Sequence, residues 1–295
     1  MTNIEGPAGQ VLAKLHQLER EPNLTNLKEI VPHTSSSNAQ VRELSILVAT
    51  LTIKAALFES YHEMDESVRK GLVNLLIKIN PDVVFAMRQE IYSADIFKRV
   101  RAIQILGLVG NKRYVEQYLV QMIRDSDEKV RATVIRTLGE LISKSEANIL
   151  IVLLNDMDDR VRANTIEALE KLGNKNLIGI LSRYRGDPNN RIRANALKAL
   201  WTLGYKDIKA PLEEMVASSA ENMRASAAWL LGEVGKNDPS FLELIKRIKY
   251  SDSALVKNNV IRALLKMDPS FAQIYLTSLF DDSEIRDVKE MYRMK

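Results

Sequence analysis

DDRVRANTIEALEKLG (Asp158–Gly173) is followed 31 residues on by NNRIRANALKALWTLG (Asn189–Gly204), and ENMRASAAWLLGEVG (Glu221–Gly235) continues the series. Aligned on Arg162, Arg193 and Arg224, each copy has an apolar residue at −1 and Ala at +1. An apolar or small residue follows at +4, Leu or its equivalent at +7 and another apolar residue at +10. That spacing gathers the apolar side chains on one side of an amphipathic helix of three to four turns. Gly173, Gly204 and Gly235 stand where a helix end favours a residue that tolerates positive φ.

Outward from this core, the dipeptide Val-Arg marks the same helix at Val41-Arg42, Val68-Arg69, Val100-Arg101, Val130-Arg131 and Val161-Arg162. Conservative versions follow at Ile192-Arg193, Met223-Arg224, Val256-Lys257 and Ile285-Arg286. The successive intervals are 27, 32, 30, 31, 31, 31, 33 and 29 residues. We term these the B helices. Between each Gly and the next Val-Arg lies a second apolar segment of about a dozen residues, such as NLIGILSRYRG or SFLELIKRIKY, which predicts an A helix. No stretch has the alternation of a strand. Internal repetition at this period signifies a solenoid. The fold class read from the sequence is therefore all-α, an α-solenoid of about nine helix-turn-helix repeats of about 31 residues. Ala102, Ala132, Ala163, Ala194 and Ala225 are small enough to mark close approach between neighbouring helices, which pack about 8–10 Å apart.

The pattern of an acidic turn followed by V-R-x-x-A-x-x-A-L-x-x-L-G, cleanest at Asp156–Gly173 and Asp187–Gly204, resembles the short HEAT-like repeats of the phycobilisome-lyase type. The resemblance is clear from about Asp95 to Met267 and weak before Asp65. It implies B helices lining a concave surface, Asp–Arg ladders between repeats, and a family made mostly of interaction modules with a few enzymes. Three of the families that share this repeat are enzyme-bearing. A di-iron hydroxylase of this fold, deoxyhypusine hydroxylase, requires several His-Glu pairs, and the chain has one, His62-Glu63. HEAT-like DNA glycosylases use a pocket of Trp, Tyr, Asp and Arg that Trp201 and Trp229 do not reconstruct. A bilin lyase or lyase-like chaperone shares the repeat alone.

Composition narrows the function further. There is no Cys among the 295 residues, which excludes disulfides and thiolate chemistry. Only His16, His33 and His62 are present, and no nucleotide loop occurs. Catalytic residues, cofactor-binding residues and metal ligands are accordingly expected to be absent. Hydrophobic residues at 46% and charged residues at 27% match a folded, soluble chain. No apolar run reaches the roughly 18 residues of a membrane span, and the start lacks a secretory signal, so a cytoplasmic location is expected. A net charge of +4, from 42 basic and 38 acidic residues, is too small to imply nucleic-acid binding, and its distribution matters more.

Three sets of charges recur. The motif arginines Arg101, Arg131, Arg162, Arg193 and Arg224 are read as a structural ladder, each following a polar turn rich in acids such as Asp125-Ser126-Asp127 or Asp156-Met157-Asp158. Acidic groups at a helix start cap it and suit its dipole. Lys112, Lys144, Lys175, Lys206 and Lys236 follow the B helices, where cations favour the helix C-terminus. A third set lies at −2, +2, +5 and +9 from each Arg, one helix face that the apolar pattern leaves free. It supplies the candidate partner-binding residues Arg99, Lys129, Arg136, Arg160, Asn164, Arg191, Asn195, Lys198, Trp229 and Arg262. In the third repeat the same face places Ile103 and Leu106. Arginine and tryptophan on one surface suit an interface hot spot.

Residues 1–9 are expected to be disordered and 10–295 to form a single solenoid, with an irregular cap over 10–64, regular repeats over 65–267 and a C-terminal cap over 268–295. The function expected is a non-enzymatic scaffold holding another protein, one with an acidic segment, on the concave B-helix face. Binding of nucleic acid through the same basic groove is the alternative, and lyase-like or chaperone activity the third.

Overall fold

The computed structural model describes residues 6–110, 113–143, 147–236, 238–267 and 269–292, with the backbone alone at 239 and 269–273. Among the described residues there is no strand, and no helix is long and apolar enough to cross a membrane. Contacts divide the chain into two compact units, residues 1–142 and 143–295. Each stacks helices in the manner of an α-solenoid.

In the first unit the helices are α1 (Pro7–Arg20), α2 (Leu27–Ile30), α3 (Ala39–Glu59), α4 (Glu66–Ile79), α5 (Val83–Glu90), α6 (Ile96–Leu108), α7 (Arg113–Gln121) and α8 (Glu128–Leu141). The second unit holds α9 (Asn148–Ile151), α10 (Asp159–Leu172), α11 (Ile178–Leu181), α12 (Asn190–Thr202), α13 (Lys209–Val216) and α14 (Glu221–Val234). It ends with α15 (Pro239–Lys246), α16 (Ala254–Lys266), α17 (Pro269–Leu279) and α18 (Asp282–Met291).

The B helices α6, α8, α10, α12, α14 and α16 are each 13 or 14 residues long. Their motif positions form the cores: Val130, Ile135 and Leu138 in the first unit, Val161, Ile166, Leu169, Ile192, Leu197 and Leu200 in the second, all buried. The A segments are shorter than the dozen residues expected. α13 and α15 have eight residues, and α11 has four between 3₁₀ turns at Lys175–Leu177 and Ser182–Tyr184. Gly179 and the β-branched Ile178 and Ile180 are weak helix formers, and 3₁₀ turns are common where a helix frays.

Five of these six B helices start on a side-chain cap, the exception being α14, whose N-cap is Ala220. Asp127 accepts from the amides of Lys129 and Val130, Asp158 from those of Arg160 and Val161, and Asn189 from those of Arg191 and Ile192. Two residues earlier, Asp125, Asp156 and Asp187 each accept the amide N–H of that cap residue at 2.8–2.9 Å. The acidic turns are thus two nested side-chain-to-backbone motifs. Four residues after the cap, an arginine reaches back over the turn. Arg131 donates to the carbonyls of Asp125 and Ser126, Arg162 to those of Asp156 and Met157, and Arg224 to those of Ser218 and Ser219.

This clasp corrects the phase of the third repeat. Its cap is Asp95, and the residue that reaches back to Ser93 and Ala94 is Arg99, not Arg101. The Val100-Arg101 pair lies two residues out of register, which is why Ile103 and Leu106, expected on the open face, are fully buried. Arg193 is also different: it reaches forward to the Pro211 carbonyl and the Glu214 carboxylate.

Further differences lie nearer the ends. α1 begins at Pro7, so residues 7–9 are helical rather than disordered, and residues 1–5 lie outside the described residues. Proline suits the first helical position because the N–H it lacks would find no intrahelical partner there. No helix separates α3 from α4, which accounts for the short interval of 27 residues between Arg42 and Arg69. Gly173 and Gly204 have φ of 62° and 100°. Gly235 does not, with φ of −88°. It is glycine because a Cβ there would meet the Met267 methyl at 2.3 Å and the Leu231 carbonyl oxygen at 2.6 Å.

Candidate functional site

In the second unit, α10, α12 and α14 present the −2, +2, +5 and +9 positions side by side. Arg191 is exposed and donates to Asn164 Oδ1 at 2.6 Å. Arg160 is exposed and pairs with its own cap, Asp158, at 3.1 Å. That hydrogen bond, followed by the amides of Val161 and Arg160, holds the Asp158 carboxyl below the usual carboxylate range. Lys198 pairs with Glu170 at 3.1 Å, and Thr202 donates to the same carboxylate at 2.9 Å. The Lys198 ammonium lies 5.9 Å from the ring centroid of Trp229, which is half-buried. Arg262 stacks on Tyr292 at 4.3 Å.

The face is therefore less cationic than its sequence suggests. Lys198 is neutralised by Glu170, Arg160 by Asp158, and Lys266 by Glu233. Arg191 is the member of the set whose hydrogen bond goes to a neutral amide.

Two of the candidate residues do not belong to an open surface. Asn195 is 8% exposed, and its amide donates to the Ala163 carbonyl of the preceding B helix at 3.1 Å. Position +2 faces the neighbouring helix, and Thr133 is buried at the equivalent place. Arg99 is likewise a structural residue: besides closing its turn, it pairs with Asp125 at 3.0 Å with only 11% of its side chain exposed. Arg101 has the opposite fate. Expected in the ladder, it instead binds the Phe58 carbonyl and Gln104 and lies over the Tyr61 ring. Arg224 is the most deeply placed ladder residue, 5% exposed, with Asp252 and the Lys249 carbonyl added to its clasp.

In the first unit, Lys129 and Arg136 are exposed on α8, and Arg136 borders a cavity. Of the lysine series, Lys112 and Lys144 lie outside the described residues. Lys206 covers the face of Trp201 at 3.7 Å, so it serves that ring. Among the described residues no three His, Asp or Glu side chains converge as metal ligands. His62 is an exposed residue whose ring meets Tyr61 edge-on.

The position of the N-cap would have found the Arg99 phase in the sequence, because Asp95 stands four residues before it as Asp127 does before Arg131. Tyr61, which gathers two arginines, had no signal in the repeat pattern.

The family comparison agrees with this architecture. A family model described as HEAT repeats matches residues 86–170, 147–232 and 177–264. No curated protein matches the sequence. Among solved structures, the complex of CpcE and CpcF of phycocyanin lyase from Nostoc sp. PCC7120 is 20% identical, with 89% of this chain and 94% of that one covered and a TM-score of 0.47. The Escherichia coli protein YibA is 18% identical over 99% of both chains, with a TM-score of 0.49. A designed armadillo repeat protein is 16% identical, covering 63% of this chain and 100% of its own, with a TM-score of 0.35.

Proposed function

The chain belongs to the HEAT-repeat family, and from that premise we propose that it is a non-enzymatic scaffold whose second unit holds a protein partner on the B-helix face of α10, α12 and α14. The observation that carries this reading is Arg191, an exposed guanidinium bonded only to a neutral side chain on a face that also presents Trp229. A partner carboxylate can bind that fork on two parallel N–H groups, while an apolar side chain packs on the half-buried indole. The partner segment is acidic and also carries an apolar residue, because the surrounding cations are already matched by carboxylates of the chain itself.

The test begins with a tagged pull-down and proceeds to affinity measurements on each retained protein. Arg191→Glu is expected to weaken the true partner strongly, and Trp229→Ala by about 2 kcal/mol or more, roughly thirtyfold. If the Arg160→Glu/Arg191→Glu variant binds every retained protein as well as the parent, the reading fails. Retention of nucleic acid with a steep loss on raising salt would replace it with a phosphate-tracking surface.

A further inference from the structure

The first unit carries an open cavity of about 620 Å³ that the scaffold reading does not use. α4, α6 and α8 border it, with Tyr61 and His62 from the turn before α4. Its walls are mainly polar, and their charges do not balance.

Glu66 and Lys70 pair with each other at 2.5 Å. Arg69 and Arg136 also line the space, against Glu140. Arg101 joins them through Tyr61: the guanidinium carbons of Arg69 and Arg101 lie 4.5 and 4.4 Å from the centroid of that one ring. Four basic side chains therefore meet two acidic ones, a surplus of two positive charges. Among the described residues, none of Arg69, Arg101 and Arg136 has a carboxylate within ion-pair distance.

Two details show that the arrangement is held under electrostatic cost. The Nε–H of Arg69 is buried with no acceptor among the described residues, and buried donors are rarely left so. Burial, with the charge of Arg69 beside it, also pushes the Arg101 pKa down from its ordinary value. Arginine stays protonated all the same, so the positive charge is fixed in place. An anion in the cavity would offset the charge of both guanidiniums.

The chemistry of that anion follows from charge, geometry and size. A phosphate monoester carries about −1.5 to −2 at neutral pH, matching the surplus. Its oxygens suit guanidinium forks. The space lies in the range of roughly 300–1,000 Å³ typical of small-molecule sites, far larger than a bare phosphate. A metal cation would be repelled, and an apolar ligand would leave the arginines desolvated and unpaired.

We propose that this cavity is a binding site for a small organic phosphate, with the phosphoryl group held by Arg69 and Arg136 and its charge supported by Arg101. The site shares no residue with the partner-binding face of the second unit, so either reading can fail without the other.

Isothermal titration of the full chain with phenyl phosphate, inorganic phosphate and succinate tests it. Phenyl phosphate is expected to bind one to one, more tightly than inorganic phosphate, with succinate weaker than both. Arg136→Gln removes an exposed side chain without a protein partner, so the fold should keep its urea midpoint while phenyl phosphate affinity falls at least about tenfold. Arg69→Lys, which keeps the charge and loses the fork, should also weaken binding. Arg191→Gln in the other unit should leave it unchanged. The proposal is overturned by no saturable binding of phenyl phosphate, by undiminished affinity in Arg136→Gln, or by succinate binding as tightly as phenyl phosphate.

Discussion

Replacing Gly232 with Ala measures how closely the B helices of the second unit are stacked. A Cβ on Gly232 would lie 2.8 Å from the Ala263 Cα and 3.1 Å from its Cβ, so it meets backbone across the α14–α16 contact. Ordinary contact begins at 3.4 Å, leaving a shortfall of about 0.6 Å, the difference between 3.4 and 2.8. The two helices must part by that much along an interface that buries Ala228, Leu231, Val260 and Leu264. A gap of about 0.5–1 Å forfeits a quarter to a half of each dispersion contact it opens, and overpacking of this kind costs about 1–3 kcal/mol. Alanine regains up to about 1 kcal/mol of helix propensity. With the full propensity gain the balance spans about 0–2 kcal/mol, and we expect a loss of about 1 kcal/mol. Both tryptophans of the chain, Trp201 and Trp229, lie in the second unit, so urea denaturation followed by their fluorescence reports on that unit alone. The midpoint should fall with little change in slope. Gly179→Ala, with open space around its Cβ, should hold or raise the midpoint. Adding Ala263→Gly to Gly232→Ala should rescue little, because the nearest obstacle is the Ala263 Cα. Stability equal to or above the parent in Gly232→Ala, or full rescue in the double variant, would refute the reasoning.

Three more outcomes follow from the polar contacts. Arg224→Met is expected to cost about 3 kcal/mol or more in the same assay, since it strips a charged donor from the Ser218, Ser219 and Lys249 carbonyls and leaves Asp252 with Lys249 as its remaining cation; a loss under 1 kcal/mol would contradict it. Glu170→Ala removes the acceptor shared by Lys198 and Thr202, and because Lys198 stays partly wet, the loss should be about 1–2 kcal/mol. A double-mutant cycle with Lys198→Ala should return a coupling of at least about 0.5 kcal/mol. Acid should weaken the second unit. Asp158 is held below its ordinary pKa chiefly by Arg160, and Asp281 by the Ser283 hydroxyl and the Glu284 amide. A carboxyl depressed in the folded state stabilises above its unfolded pKa and loses that contribution as pH falls through the folded value. The urea midpoint should therefore be level down to about pH 4 and decline below it, with a shallower decline in Asp158→Asn.

The regular centre of the fold was legible in the sequence because three signals coincide there. At Asp158–Gly173 the cap, the apolar period and the terminal glycine all choose one phase. In the third repeat they compete. Val100-Arg101 imitates the motif, while the cap Asp95 selects Lys98-Arg99, and capping geometry wins because it fixes where the helix starts. The A segments were harder, since a short apolar run does not say whether its turns are α or 3₁₀. For the candidate site, helical periodicity placed Arg160, Arg191 and Lys198 on one face. It could not reveal that Asn195 turns inward to the Ala163 carbonyl, or that Glu170 from the adjacent helix neutralises Lys198. Those contacts join residues 28 and 32 positions apart, and no pattern within one helix encodes them.

The arginine clasp has a consequence for how such a chain grows. Arg99, Arg131, Arg162 and Arg224 each bond to carbonyls five and six positions upstream, so turn, cap and clasp travel together within one stretch of about ten residues. A gene segment duplicated or deleted at the period of the repeat carries its whole turn with it, whichever neighbour it acquires. Arg193 makes no such clasp and spends its guanidinium on the next A helix, so at that junction recombination would take its acceptors at Pro211 and Glu214, whereas Arg99 and Arg224 would lose their forward partners Asp125 and Asp252 and keep the clasp.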